Sequence, residues 1–312
     1  MRIIFAGSPE IALSSLVNLS LNFDIAAVLT NPDKITGRGR KIQFNPVKTK
    51  ALELGLNVLQ PETLGRSVRE EITNLNPDLL VVFAYGKIFG SLFLSIFPMG
   101  GINVHPSLLP KYRGSSPILT AILNGDSETG ITIQRINLEM DTGSVLKQKT
   151  ITLDGSETTA SLSKLVSEES PELLVSCIKN LESGSINESL QDESKASYCK
   201  KIKKEDGLIN WNESALLIDR KIRAYTPWPK AYTFFREKKL MLLQGKPKPA
   251  SADLINVPGT VLGFDKSDGI LIQTGNGVMS VQLLQLQSKK ANNWKSFING
   301  MQNFTGSVLG VD

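Results

Sequence analysis

Histidine is nearly absent from this chain of 312 residues: His105 is the only one. Any neutral-pH acid or base of the ordinary kind must therefore be His105 or a carboxylate shifted by its surroundings. Cysteine is nearly as scarce. Cys177 and Cys199 are the only two, too few for a disulfide framework and not spaced as metal ligands, which points to a reducing compartment and no structural zinc. No apolar run reaches the length that crosses a bilayer, and the apolar start Met1 to Gly7 is far shorter than a signal-peptide core. A cytoplasmic protein without a membrane partner is expected. The phosphate-cradling glycine loops are missing too. Gly7 is followed by Ser8-Pro9-Glu10, without the second and third glycines of the dinucleotide fingerprint, and Pro9 removes an amide that would face a phosphate. That argues against a nicotinamide or flavin cofactor and favours a tight strand-to-helix turn. No Gly-x-x-x-x-Gly-Lys-Ser/Thr segment supports an ATP-driven enzyme.

What is present is apolar content sufficient for buried cores, 41% of residues, over a length that suits two domains. Charge is uneven along the chain. Residues 203–312 hold 15 Lys/Arg against 9 Asp/Glu, whereas residues 1–202 hold 20 against 21, so the tail is +6 and the front −1. A basic tail beside a neutral front suits a polyanionic partner, although charge alone is equally compatible with an ordinary solvated surface.

Short apolar runs alternate with helical patterns through the first part. Arg2 to Ala6 reads as a strand, with Ser8-Pro9-Glu10 as the cap and first turn of a helix carrying Ile11, Leu16 and Leu19. Further strands are expected at 25–29, 58–59, 79–84 and 102–104, with helices near 46–55, 66–75 and 115–124. This is the pattern of an α/β, Rossmann-like parallel sheet. Residues 129–136 and 145–153 read as β segments, 157–182 as helical, and the polar stretch from Glu182 to Lys204 as a linker. Beyond a helix near 213–225, short β runs at 231–236, 239–243, 259–264, 269–274 and 278–286 predict a smaller β-barrel of the OB-like kind. The expected division is 1–203 and 204–312.

Gly101-Ile102-Asn103-Val104-His105-Pro106 places Asn103 and His105 two positions apart, hence on one face, where a buried strand ends. In open α/β sheets ligands bind at that end. A lone histidine is by default a packed residue, but this position beside an amide side chain favours a functional one. Asp141, before Thr142-Gly143, would by itself be read as a turn former.

The run Asn103-Val104-His105-Pro106-Ser107-Leu108-Leu109-Pro110-Lys111-Tyr112-Arg113-Gly114 resembles the signature of the 10-formyltetrahydrofolate-dependent formyltransferases. The resemblance implies a catalytic trio of Asn103, His105 and Asp141, and a folate-associated segment Ser107, Leu108, Leu109 and Pro110. Formyl transfer fits these residue types: a neutral amine attacks the formyl carbon, so the site needs an oxyanion donor and a proton acceptor. Asn103 can donate to the oxyanion, His105 can donate to it or take the amine proton, and Asp141 can orient the ring or hold a relaying water. No metal is required for this chemistry.

The acceptor has to come from elsewhere in the chain. Ile4-Phe5-Ala6-Gly7-Ser8-Pro9, the segment from Asn31-Pro32-Asp33-Lys34 to Gly39-Arg40-Lys41, and Ile222-Arg223-Ala224-Tyr225-Thr226-Pro227-Trp228-Pro229 resemble the branch of the family whose acceptor is initiator methionyl-tRNA. In that branch the 31–45 loop enters the acceptor stem, which implies tRNA contacts by Arg38, supported by Arg40, Lys41 and Lys34. The resemblance implies a monomer with 10-formyltetrahydrofolate as co-substrate. Pro106 departs from that branch and resembles enzymes acting on glycinamide ribonucleotide, so a small amine, that nucleotide or an amino-sugar nucleotide, is the alternative acceptor. The tryptophans Trp211, Trp228 and Trp294 read as packing residues.

Overall fold

The computed structural model describes residues 1–36, 41–249 and 256–310, and its contacts divide into two units. The first comprises Met1–Pro117, Glu128–Thr152 and Ser163–Lys200; the second comprises Ile118–Ser127, Leu153–Leu162 and Lys201–Asp312.

Strand β1 (Arg2–Gly7) is buried at every position but its first, as a strand covered on both faces requires. The helix expected from Ser8-Pro9-Glu10 instead begins with a 3₁₀ turn, Glu10–Ala12, before α1 (Leu13–Asn22). Ser8 does not cap it: the Ser8 hydroxyl lies 3.2 Å from that of Thr30 and accepts from the Asn31 amide and side chain, so tertiary partners outcompete the local cap. Chain order continues with β2 (Asp24–Leu29), a hairpin of β3 (Lys34–Thr36) and β4 (Lys41–Gln43), α2 (Pro46–Glu53), β5 (Val58–Leu59), α3 (Arg66–Asn74) and β6 (Leu79–Phe83). Asn45 caps α2 by accepting from the Lys48 amide, and Pro46 occupies the first turn, where a missing N–H costs nothing.

After α4 (Ser91–Leu94) come β7 (Gly101–His105), the short β8 (Arg113–Gly114), α5 (Pro117–Asn124), β9 (Glu128–Arg135), β10 (Val145–Thr152) and α6 (Thr159–Glu182). The main sheet has the order β10-β9-β7-β6-β1-β2-β5. Pairings from β7 to β5 are parallel; β9 runs antiparallel to both β7 and β10. The chain leaves β1 toward β2 and β5, then returns to β6 on the other side of β1. That reversal opens a crevice at the carboxyl ends of β1 and β6. One face of the sheet packs Ile4, Ala6, Ala27, Leu29, Leu80 and Val82 against Val68 and Ile72 of α3 and a run of Tyr85, Phe89, Phe93 and Phe97. Successive rings of that run are 5.7, 5.0 and 5.9 Å apart, a ladder that ties the segment after β6 into the core.

The polar stretch expected as a linker, Glu182 to Lys204, belongs to the first unit as far as Lys200. Within it, β11 (Tyr198–Cys199) pairs in parallel with β8, and the buried Arg113 guanidinium holds Gln191 and both carboxylate oxygens of Glu193. A composition rich in Ser, Lys, Glu and Asp conceals this because its partners are buried polar groups rather than apolar ones.

In the second unit, α7 (Ala215–Ala224) is capped by Ser214 and held by its own side chains: Arg223 donates to the Glu157 carbonyl and Arg220 to that of Asn124. Strands β12 (Ala231–Phe235), β13 (Lys238–Lys248), β14 (Val261–Asp265), β15 (Gly269–Gln273) and β16 (Val278–Leu286) form an antiparallel sheet of order β12-β13-β16-β15-β14, with β17 (Asn292–Asn293) on β16 and α8 (Trp294–Asn299) following. β13 runs past the expected 239–243 because bulges near Gln244 and the absence of a side chain at Gly245 let it stay paired with β16.

Gly7 ends β1 where a Cβ would lie 2.8 Å from the Phe83 carbonyl oxygen, so the glycine meets the demand of close strand-to-strand backbone approach. Gly7→Ala should lower unfolding free energy by about 1–3 kcal/mol, the usual cost of overpacking against a fixed backbone. Urea denaturation checks this, and an unchanged midpoint would show that the turn relaxes freely.

Candidate active site

β7 delivers Asn103 and His105 to one face, and its antiparallel register sets Asn103 opposite Gln134 and His105 opposite Thr132 of β9. After β9 the chain loops back, and Asp141 occupies that loop at φ 58°, a left-handed conformation that Asp tolerates. Gly143 is obligatory beside it, since a Cβ there would sit 1.8 Å from the Arg135 carbonyl oxygen. The loop thereby returns the Asp141 carboxylate to the strand end. Its Oδ1 accepts from Gln134 Nε2 at 2.8 Å and from Asn103 Nδ2 at 3.4 Å, and its Oδ2 accepts from the Gly114 amide at 2.8 Å. Gln191 fastens the loop from behind, donating to the Asp141 and Gly143 carbonyls at 2.8 and 2.7 Å.

His105 is 3% exposed. Its Nε2 lies 2.9 Å from the Tyr112 carbonyl oxygen, which can only accept, so Nε2 carries the proton of the neutral ring. The lone pair is then on Nδ1, 3.5 Å from Asp141 Oδ1. Burial pushes the imidazole below its ordinary value, opposed by the Asp141 carboxylate and the bond to Tyr112. The result is a base that is neutral at rest, with an anion placed to receive its protonated form.

These groups border a cavity of about 500 Å³. Its walls come from Ile11, from Val82 to Phe89 after β6, from Asn103 to Pro106, from Gly114, Ser115 and Pro117, and from the loop Gln134 to Asp141. Left-handed backbone at Ala84 and Gly86 turns the first of those segments across the strand ends. Ile88, Leu138 and Met140 remain 74%, 64% and 57% exposed. Such apolar surface at a cavity edge suits a planar aromatic ligand.

Asn103, His105 and Asp141, predicted from separated parts of the sequence, thus converge. Ser107, Leu108, Leu109 and Pro110 do not line this cavity. Ser107 and Leu109 are buried, the Ser107 hydroxyl donates to the Lys111 carbonyl, and the Ser107 and Leu109 backbones bond Thr132. These bonds hold the turn after β7. Arg38 and Arg40 lie outside the described residues; Lys34 and Lys41 start the two facing strands of the β3–β4 hairpin, Lys41 opposite Thr36. Among the basic residues of the second unit, Arg220, Lys221, Arg223 and Lys248 are bonded internally, whereas Lys203, Lys204, Lys238, Lys246, Lys289 and Lys290 are exposed. Trp211 packs, donating to Thr233, but Trp228 is 52% exposed. Sequence reasoning missed Gln134, Gln191, the Gly114 amide and the 83–89 segment. Gln134 alone left a signal, as a polar residue in an apolar strand.

Among the described residues no group of His, Cys, Asp or Glu is arranged to hold a metal ion, and no helix is long and apolar enough to cross a membrane.

Two family models match the chain, Formyl transferase over residues 1–178 and Formyl transferase, C-terminal domain, over 201–302. The chain belongs to the formyl transferase family. Its similarity to individual members is also full-length. It is 44% identical to the methionyl-tRNA formyltransferase of Treponema denticola, over 97% of this chain and 98% of that one, and 42% identical to that of Borrelia duttonii, over 99% and 100%. Among solved structures, an N-formyltransferase from Helicobacter canadensis with folinic acid and dTDP-3-aminofucose superposes with TM-score 0.67 at 20% identity, covering 90% of this chain and 98% of that one. HypX from Aquifex aeolicus with tetrahydrofolic acid gives 0.65 at 18%, covering 98% and 48%. At such identities these two show the shared fold.

As the only histidine, His105 can be titrated by NMR without assignment. Its midpoint should fall below 6.5, and Asp141→Asn should move it lower still, because the carboxylate is what raises it against burial. Formyl transfer should accordingly hold its rate until the pH drops below that value; a midpoint above it would remove the resting neutral base.

Proposed function

We propose that this chain is a methionyl-tRNA formyltransferase, moving the formyl group of 10-formyltetrahydrofolate to the α-amino group of methionyl initiator tRNA. The observation that carries the reading is the full-length match, through both units, to proteins of that name, with the expected trio assembled at one cavity. The cavity fits the folate: its volume suits a pterin-sized ring system, the exposed Ile88, Leu138 and Met140 offer apolar cover, and the open side leaves room for a longer tail. When bound, 10-formyltetrahydrofolate supplies an activated formyl carbon.

Asn103 keeps one amide N–H on Asp141 and directs the other at the formyl oxygen as negative charge builds there. His105 takes the amine proton on Nδ1, since Nε2–H is committed to Tyr112, and that proton passes to the folate nitrogen as its bond to the formyl carbon breaks. Asp141 stabilises the imidazolium so formed and, through Gly114, Gln134 and Gln191, keeps both partners aligned. Residues 1–203 carry the chemistry and 204–312 hold the tRNA, with the exposed lysines of the second unit neutralising phosphates. Each such contact should steepen the salt dependence of binding. Arg38, Arg40, Lys41 and Lys34 contact the acceptor stem. The protein works as a cytoplasmic monomer without a catalytic metal.

The test is turnover on methionyl initiator tRNA, with glycinamide ribonucleotide and an amino-sugar nucleotide in parallel. Activity on the tRNA supports the reading; activity on a small amine alone keeps the trio and overturns the acceptor. His105→Asn and Asp141→Asn should each lower kcat by on the order of a hundredfold or more with tRNA affinity retained. Near-normal turnover of either would remove its role. Arg38→Ala should raise KM for tRNA, and unchanged tRNA kinetics would take the hairpin out of the mechanism.

A further inference from the structure

The base of the β3–β4 hairpin is fastened by a network of part-buried hydrogen bonds that the proposed chemistry does not use. Asn31, where the chain enters the hairpin, donates from Nδ2 to the Ser8 hydroxyl at 2.9 Å and to the Tyr85 carbonyl at 2.8 Å. Ser8 follows β1 and Tyr85 lies in the segment that lines the cavity. The Asn31 carbonyl in turn accepts from Asn45 Nδ2 at 3.0 Å and Gln60 Nε2 at 2.8 Å. Asn45 stands where the chain leaves the hairpin, so the two ends are bonded to each other across Asn31.

Asp33 forms the second stage. Its carboxylate accepts from Gln60 Nε2 at 2.9 Å and pairs with Lys48 of α2. Lys48 also lies 3.9 Å over the Phe44 ring, on the returning arm. These donors hold the Asp33 carboxyl below its usual range, as a carboxylate that stays ionised should be. Here four side chains with fixed donor and acceptor directions define how the hairpin leaves the sheet, and one of them reaches the cavity wall directly.

We propose that Asn31 and Asp33 are positioning residues for the acceptor: they set the direction in which strands β3 and β4 leave the sheet relative to the cavity, so that a nucleic acid engaged by this hairpin presents its amino end to Asn103 and His105. Neither residue touches the reacting atoms. Their hydrogen bonds keep the hairpin in the orientation that binds productively, so loosening them lowers the fraction of binding-competent chain and raises the apparent KM without altering the bound complex. A chain acting on a small free amine would have no use for that rigidity. The inference rests on the tRNA acceptor proposed above and assigns residues to its alignment.

The experiment compares steady-state kinetics of Asp33→Asn and Asn31→Asp with the unaltered chain and with Glu53→Gln, which loses only an exposed ion pair on α2. Asp33→Asn keeps the volume and weakens the Lys48 pairing; Asn31→Asp keeps the volume and loses both donated bonds. Each should raise KM for methionyl-tRNA by roughly tenfold, the equivalent of one or two part-buried hydrogen bonds. KM for 10-formyltetrahydrofolate in Asp33→Asn should stay within about twofold, the thermal midpoint should match that of Glu53→Gln, and kcat at saturating tRNA should be retained. Unaltered KM for tRNA in both variants overturns the inference, as does an equal rise for both substrates, which marks a general loosening of the domain. Absence of turnover by the unaltered chain is a different result, the failure of the acceptor reading itself.

Discussion

The Asp141 carboxylate draws N–H donors from a strand neighbour, Gln134, from the strand-end Asn103 and from the Gly114 backbone, while facing Nδ1 of His105. An anion that is largely shielded from water is tolerable only when such donors replace its hydration. The same requirement makes Asp141 an organiser: β7, β9 and the turn at Gly114 each bring a donor to it. The left-handed backbone at Asp141 and the glycine two residues later are the local cost of that arrangement, and Gln191 offsets it by bonding the loop's own carbonyls.

Buried polarity therefore does the work at this end of the sheet that apolar packing does elsewhere. Arg113, 1% exposed, is among the largest fully buried side chains and is paired with Glu193 and Gln191. Removing Glu193 would strand the buried guanidinium, and removing Gln191 would leave two of its N–H donors without their acceptor, so the 191–199 strap and the signature segment support each other. This places Gln191 in one chain of bonds with Asp141 on one side and Arg113 on the other. The opposite wall of the cavity is held differently, by the Tyr85–Phe89–Phe93–Phe97 ladder, which gives a ligand-facing turn the stiffness of the core beneath it.

His105 shows how the two kinds of wall combine. Burial favours the neutral ring, the Tyr112 carbonyl selects the tautomer, and the Asp141 carboxylate faces the remaining nitrogen. None of these influences alone fixes the state of the ring; together they favour a neutral imidazole with its lone pair on Nδ1, which is what the proposed role of His105 as a base needs.

Much of this was legible in the sequence, and for a definite reason. Strand and helix periods are short-range properties, so the alternating elements of the sheet domain and the β runs of the second emerged close to their observed bounds. The two-residue spacing of Asn103 and His105 likewise required one face of one strand. Asp141 came only through a family resemblance, because before Thr142-Gly143 it reads locally as a turn former. Tertiary structure alone decided that Ser107 and Leu109 turn inward, that residues 191–199 strap the site, that Trp228 is exposed while Trp211 packs, and that the 83–89 segment forms one wall of the cavity. Each depends on the register between strands and on partners such as Gln191, 50 residues from Asp141, and a pattern read along the chain carries no information about distances across it.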